Sequence, residues 1–156
     1  MKKYLLTDSF LAFMREKFLF DIYEDDFKLF ENSIENNESF IVDETKRNLS
    51  YNLQNESDIE YYNKEFQNVE APNSQVLDKL REIINVDENF NFLDREIQFS
   101  TPVPIPFIIA TAIVNQVPVV VDETHSDYLR FSKICKNYNI KIYNKNAYIK
   151  ELRESV

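Results

Sequence analysis

The 156-residue chain contains no glycine. That excludes the phosphate loops built on glycine: the Walker A loop, the dinucleotide fingerprint and the glycine-rich lid of kinases all bring bare backbone against a phosphate. Cysteine occurs once, as Cys135, so there is neither a disulfide framework nor a thiolate zinc site. Histidine also occurs once, as His125, which excludes a two-histidine metal centre. The two do not make a nucleophile–base pair, because ten residues along one helix is a rise of roughly 15 Å. Basic residues are in deficit: 18 Lys and Arg against 27 Asp and Glu leave a net charge of −9. A chain of that charge repels nucleic acid at long range, so a broad basic groove is not expected. No stretch of about 18 apolar residues occurs, so no membrane span is expected. Met1 to Asp8 carries two lysines but no apolar stretch after them and does not read as a signal peptide. With a single thiol, a reducing, cytoplasmic setting is the expectation.

What is present is an ordinary folding composition, 44% apolar and 29% charged. Its length suits one domain over residues 1–156, large enough to bury roughly 70% of its unfolded surface. Lys3 to Leu6 reads as a first strand. Ser9 is placed to cap a helix from about Phe10 to Phe20, and Glu24, Asp25 and Asp26 open a second, where acids favour the helix dipole. Ser39 to Asp43 reads as a second strand. Residues 48–75 are polar, with Tyr51, Tyr61, Tyr62 and Phe66 as anchors, and read as one or two helices and a loop. Ser74 to Ile84 is a clear helix and Asn89 to Gln98 a further helix or turn. Prolines at 102, 104 and 106 predict an extended path from Ser100 to Pro106. Phe107 to Val114 is apolar throughout, which suits a buried helix or a buried strand. Val117 to Val121 is a buried strand. Thr124 and Asp127 suggest a capping box for a helix carrying Phe131, Ile134 and Cys135. Ile140 to Tyr143 is a last strand, and Asn144 caps a final helix.

Strands alternating with helices predict an α/β fold around a mostly parallel sheet, whose ligand sites lie at the carboxyl ends of the strands. Three of those ends are acidic: Thr7-Asp8, Asp43-Glu44 and Asp122-Glu123. Converging carboxylates suit a hard cation such as Mg²⁺ or Mn²⁺, which can activate water and polarise a phosphoryl oxygen. The same acids also suit the starts of helices, since Asp8, Glu44 and Asp122 each precede or open one.

Phe107-Ile108-Ile109-Ala110-Thr111-Ala112-Ile113-Val114, the strand Val117 to Val121, and Ile134 to Asn144 together resemble the C-terminal half of PIN-domain proteins. Tyr4-Leu5-Leu6-Thr7-Asp8-Ser9-Phe10-Leu11 looks like that family's opening strand and acid, and Phe40-Ile41-Val42-Asp43-Glu44 like its second. The resemblance covers residues 3–15, 38–50 and 105–152. It implies a three-layer PIN-like α/β fold, a central sheet flanked by helices, and a Mg²⁺- or Mn²⁺-dependent ribonuclease of the bacterial toxin–antitoxin kind. Its catalytic acids would be Asp8, Glu44, Asp122 and Glu123, with Asp8, Glu44 and Asp122 on the metal. RNA and a cognate antitoxin or other protein are the implied partners, a homodimer is compatible, and a membrane is not. Carried over position by position, Thr7 stands at the first acid's place with Asp8 one residue late. Glu44 falls at the second place, Ile105 at the third, and Asp122 or Glu123 at the fourth. A carboxylate moved by one residue rejoins the site only where the strand end bulges, because successive side chains face opposite ways.

Two other readings stand beside an active nuclease. One is a catalytically degenerate PIN-like module that binds RNA or protein, which Thr7 and Ile105 favour. The other is an acidic immunity- or antitoxin-like protein that neutralises a basic partner. Of the remaining residues, His125 suits an exposed loop or a phosphate contact, Cys135 a core position, and Tyr61-Tyr62 either core packing or base stacking.

Overall fold

A computed structural model describes residues 2–86 and 104–155. The helix or turn expected over Asn89 to Gln98 and the stretch from Ser100 to Val103 lie outside the described residues. Strands β1 (Tyr4–Leu6), β2 (Ser39–Phe40), β3 (Val119–Val120) and β4 (Ile142–Tyr143) form one sheet in the order β2-β1-β3-β4, every neighbouring pair parallel. Each strand is two or three residues long, shorter than the apolar stretches around it. Leu5 lies opposite both Phe40 and Val119, and Val120 opposite both Leu6 and Tyr143.

Side chains alternate across a strand, so this register divides the interior in two. Tyr4, Leu6, Val120 and Tyr143 face one core. That core also takes Phe10, Leu11 and Met14 of α1 (Asp8–Glu16), Phe27 and Phe30 of α2 (Glu24–Glu35), and Tyr148 and Leu152 of α9 (Lys145–Glu154). Leu5, Val119 and Val121 face the other, with Leu80 and Ile83 of α6 (Ser74–Val86), Ile108 and Ile109 of α7 (Pro104–Asn115), and Ile134 and Cys135 of α8 (Tyr128–Asn137). Helices therefore cover both faces, and the three-layer α/β architecture expected from the sequence is the one observed. The short helices α3 (Asp43–Arg47), α4 (Leu49–Asn52) and α5 (Glu56–Glu65) occupy the polar stretch. No described helix is long and apolar enough to cross a membrane.

Local chemistry explains where the elements differ from expectation. Helix α1 begins at Asp8 because Thr7, not Ser9, caps it, accepting from the Phe10 amide at 3.3 Å. The helix ends at Glu16, short of Phe20. The Phe107–Val114 stretch is helical, and its helix begins earlier, at Pro104. Pro104 and Pro106 sit in its first turn, where a missing N–H has no intrahelical partner to lose, so the extended path does not reach Pro106. The capping box at Thr124 does not form. Asp127 makes no side-chain cap, and Thr124 turns back to bond Asp122. Without glycine, left-handed backbone falls to Asn37, Gln116 and Asn139, at φ of 60°, 55° and 58°, just past the ends of α2, α7 and α8. Asparagine tolerates this region, whereas at Gln116 the same conformation costs about 1 kcal/mol.

Buried hydroxyls fasten the first layer. Ser39 and Tyr148 oxygens lie 2.5 Å apart, and Ser33 donates to Ser39 at 2.9 Å, tying α2, β2 and α9 together. Among the described residues no buried side-chain nitrogen or oxygen lacks a partner.

Candidate functional site at the carboxyl edge

Parallel strands bring all their carboxyl ends to one edge of the sheet. A cleft of about 480 Å³ opens there, with Thr7, Asp8, Ser9, Val121 and Asp122 from the strand ends among its walls. Ile105 and Ile108 of α7, Asn48 and Asn52 beside α4, and Phe131 of α8 complete its sides. Its size and mixed lining are those of a ligand site.

Thr7 is buried, and its hydroxyl donates to the Val120 carbonyl at 2.8 Å, which locks the end of β1 to β3. Asp8, the first residue of α1, is half-buried and directed toward the polar helices. Its Oδ1 accepts from the Thr45 hydroxyl at 2.7 Å, and its Oδ2 from the Asn48 and Asn52 side-chain amides at 3.0 and 2.7 Å. Burial pushes the Asp8 carboxyl from 3.8 up to about 6, against the pull of those three hydrogen bonds. All three donors are neutral, so no cation offsets the desolvation.

Asp122 is also buried. Its Oδ1 accepts from the Thr124 amide at 2.9 Å and the Thr124 hydroxyl at 2.6 Å, a closed turn after β3. Ser9 bridges the two acids' neighbourhoods: its hydroxyl lies 3.1 Å from that of Thr7 and 3.5 Å from the Asp122 amide. Glu44 stands on α3 and pairs with Arg47 at 3.5 Å, and burial raises its carboxyl. Glu123 is exposed and accepts from Asn144 at 3.1 Å, at the cap of α9. The cleft thus gathers Asp8 and Asp122, and its walls as described include neither Glu44 nor Glu123. Ile105, the position at which the resemblance to PIN-domain proteins would set the third acid, lines this cleft. Among the described residues no group of three or more His, Cys, Asp and Glu side chains is placed to hold a metal ion. The described side chains therefore do not fit the divalent cation expected from the sequence.

His125 lies exposed on the rim and its Nδ1 accepts from the Asp127 amide at 3.1 Å. Tyr61 and Tyr62 do not face the cleft. Tyr62 is fully buried and donates to the Leu11 carbonyl at 2.6 Å, while Tyr61 donates to Glu31 at 2.6 Å. Cys135 is buried, and burial pushes its thiol up to about 12. The residues that sequence reasoning missed are the three around Asp8. Thr45, Asn48 and Asn52 are spaced three and four apart, which sets them on one side of successive helical turns. That spacing was visible in the polar stretch.

The Asp8 shift has a defined consequence. The folded state holds the Asp8 proton more tightly than the unfolded chain, so this contribution to stability is complete below about pH 4. It is lost as pH rises through about 6, a change of about 3 kcal/mol. Asp8→Asn removes the titration. Urea denaturation at about pH 4 and pH 7 should show the wild type losing up to about 3 kcal/mol more than the variant across that interval. Equal losses would mean Asp8 is solvated in solution.

The fold is a parallel α/β domain with a cleft at the carboxyl ends of its strands. The chain belongs to the family described as a domain of unknown function (DUF4411), whose profile matches residues 4–156. No curated protein matches it.

Proposed function

We propose that this chain is a PIN-like domain whose strand-end cleft binds another protein and does not cut RNA. The observation that carries this reading is the pair of substitutions inside the cleft. Thr7 uses its hydroxyl to join two strands, and Ile105 puts an alkyl side chain where the resemblance sets a third carboxylate. Of the acids expected to hold a metal only Asp8 and Asp122 line the cleft, and both Asp8 oxygens and Oδ1 of Asp122 are already bonded to neutral donors, which leaves few free ligands for Mg²⁺ or Mn²⁺, ions that take about six oxygens. The net charge of −9 and the cleft's excess of acids, Asp8, Glu16, Asp122 and Asp127 against Lys17 and Arg130, disfavour an RNA occupant and favour a protein that presents cationic or amide groups.

The alternative is a Mg²⁺- or Mn²⁺-dependent ribonuclease of the toxin type, using Asp8, Glu44, Asp122 and Glu123. One feature supports it: Asp8 and Asp122 share the cleft. A mixed RNA pool incubated with the protein and Mn²⁺, beside a chelated control, separates the two. The binding reading expects no cleavage above the control and no RNA retained on filters at low salt. Mn²⁺-dependent cleavage that Asp122→Asn abolishes would establish the nuclease instead.

A further inference from the structure

Three large apolar side chains stand in solvent within five residues, between α1 and α2. Leu19 is 58% exposed, Ile22 70% and Tyr23 52%. The amides of Ile22 and Tyr23 both donate to the Leu19 carbonyl, at 3.0 and 2.9 Å, so a tight turn gathers the three into one knuckle. The knuckle rests on a firm base: Tyr23 lies 5.9 Å from buried Phe18, and Phe18 and Phe20 both pack on Phe27. Tyr23 also occupies the N-cap of α2 without a capping side chain, a position that Ser or Asp ordinarily fills. An exposed apolar cluster seated on a packed aromatic base has the character of an interaction surface.

Its rim identifies the partner. Asp21, Glu24 and Asp25 are exposed and form no ion pair among the described residues, whereas neighbouring Asp26 pairs with Arg153; on the aromatic base behind them, Lys145 Nζ lies 5.6 Å from the Phe18 ring centre, and the Arg15 guanidinium, 5.4 Å from that of Phe20, is paired with Asp58. Acids in the first turn of α2 favour that helix, which accounts for Glu24 and Asp25 but not for Asp21 or the exposed apolar side chains.

We propose that the knuckle of Leu19, Ile22 and Tyr23 docks a basic amphipathic segment of another protein, its apolar face on the knuckle and its cations on the acidic rim. A second copy of this chain would set acid against acid, and nucleic acid or an anionic membrane meets the same repulsion. The knuckle lies outside the cleft lining, so this inference does not rest on what the cleft binds.

The test is calorimetric titration with an amphipathic leucine–lysine peptide of about five helical turns at low salt. The wild type binds it. Leu19→Ser with Ile22→Ser weakens binding about tenfold, while melting stays within about 2 °C because both side chains are exposed. Asp21→Lys with Glu24→Lys weakens it by a similar factor at low salt, and the difference fades as salt rises. The proposal is overturned by a wild type that does not bind, or by either variant binding as tightly as the wild type. Self-association of the wild type that Leu19→Ser with Ile22→Ser abolishes would also overturn it.

Discussion

Asp58→Ala lowers the stability of the fold by about 3 kcal/mol and the melting temperature by about 10 °C. Arg15 on α1 donates through Nε to Asp58 Oδ1 on α5 at 2.8 Å, and their side chains are only 19% and 10% exposed. The guanidinium lies 4.2 Å from the centre of the Tyr61 ring and 5.4 Å from that of Phe20. Those rings complement a cation but cannot replace its hydrogen-bond acceptor. Truncating Asp58 leaves a desolvated charge between two aromatic faces, the expensive half of breaking a buried pair. Replacing both partners, Arg15→Met with Asp58→Leu, should cost much less, because no orphaned charge remains. Urea denaturation of the single and double variants measures the coupling. A loss below about 0.5 kcal/mol in Asp58→Ala would mean the pair behaves as a surface salt bridge.

The consecutive apolar residues at Tyr4–Leu6 and Val117–Val121 made the buried parallel strands legible, since a strand covered on both faces loses its polar alternation. Periodicity could not decide Phe107–Val114, because the stretch is apolar on every side. The structure shows why: α7 buries most of its circumference between the sheet and α6. Strand-end acids were also legible as a group, because parallel topology sends every carboxyl end to one edge. Their individual fates were not. Asp8 turned to Thr45, Asn48 and Asn52, Glu44 to Arg47, and Glu123 to Asn144. Each choice depends on a side chain brought near by tertiary packing or by a helical turn within an undetermined polar stretch. Thr124 shows the same limit, since bonding to Asp122 two residues back competes with capping forward, and local sequence permits both.

Ile105→Asp should convert the cleft into a Mn²⁺ site. Ile105 is the second residue of α7, lines the cleft beside Asp8 and Asp122, and packs half-buried against the second core. A carboxylate there adds an oxygen ligand and a further negative charge beside Asp8 and Asp122. In the absence of metal the change is unfavourable on two counts. It removes a partly buried alkyl side chain, costing about 1–2 kcal/mol, and it sets a third carboxylate near two others. The helix N-terminus offsets part of this, because an acid in the first turn faces the positive end of the dipole. Metal reverses the sign. A cation bound only by the folded variant stabilises it by about 2.7 kcal/mol at a hundred times its dissociation constant. Melting with and without millimolar Mn²⁺, alongside calorimetric titration, should therefore show a variant less stable than the wild type in chelator and strongly stabilised by the ion. The wild type should scarcely respond. If both proteins respond alike, the side chain at 105 does not share a site with Asp8 and Asp122, and the match of Ile105 to the missing third acid is wrong.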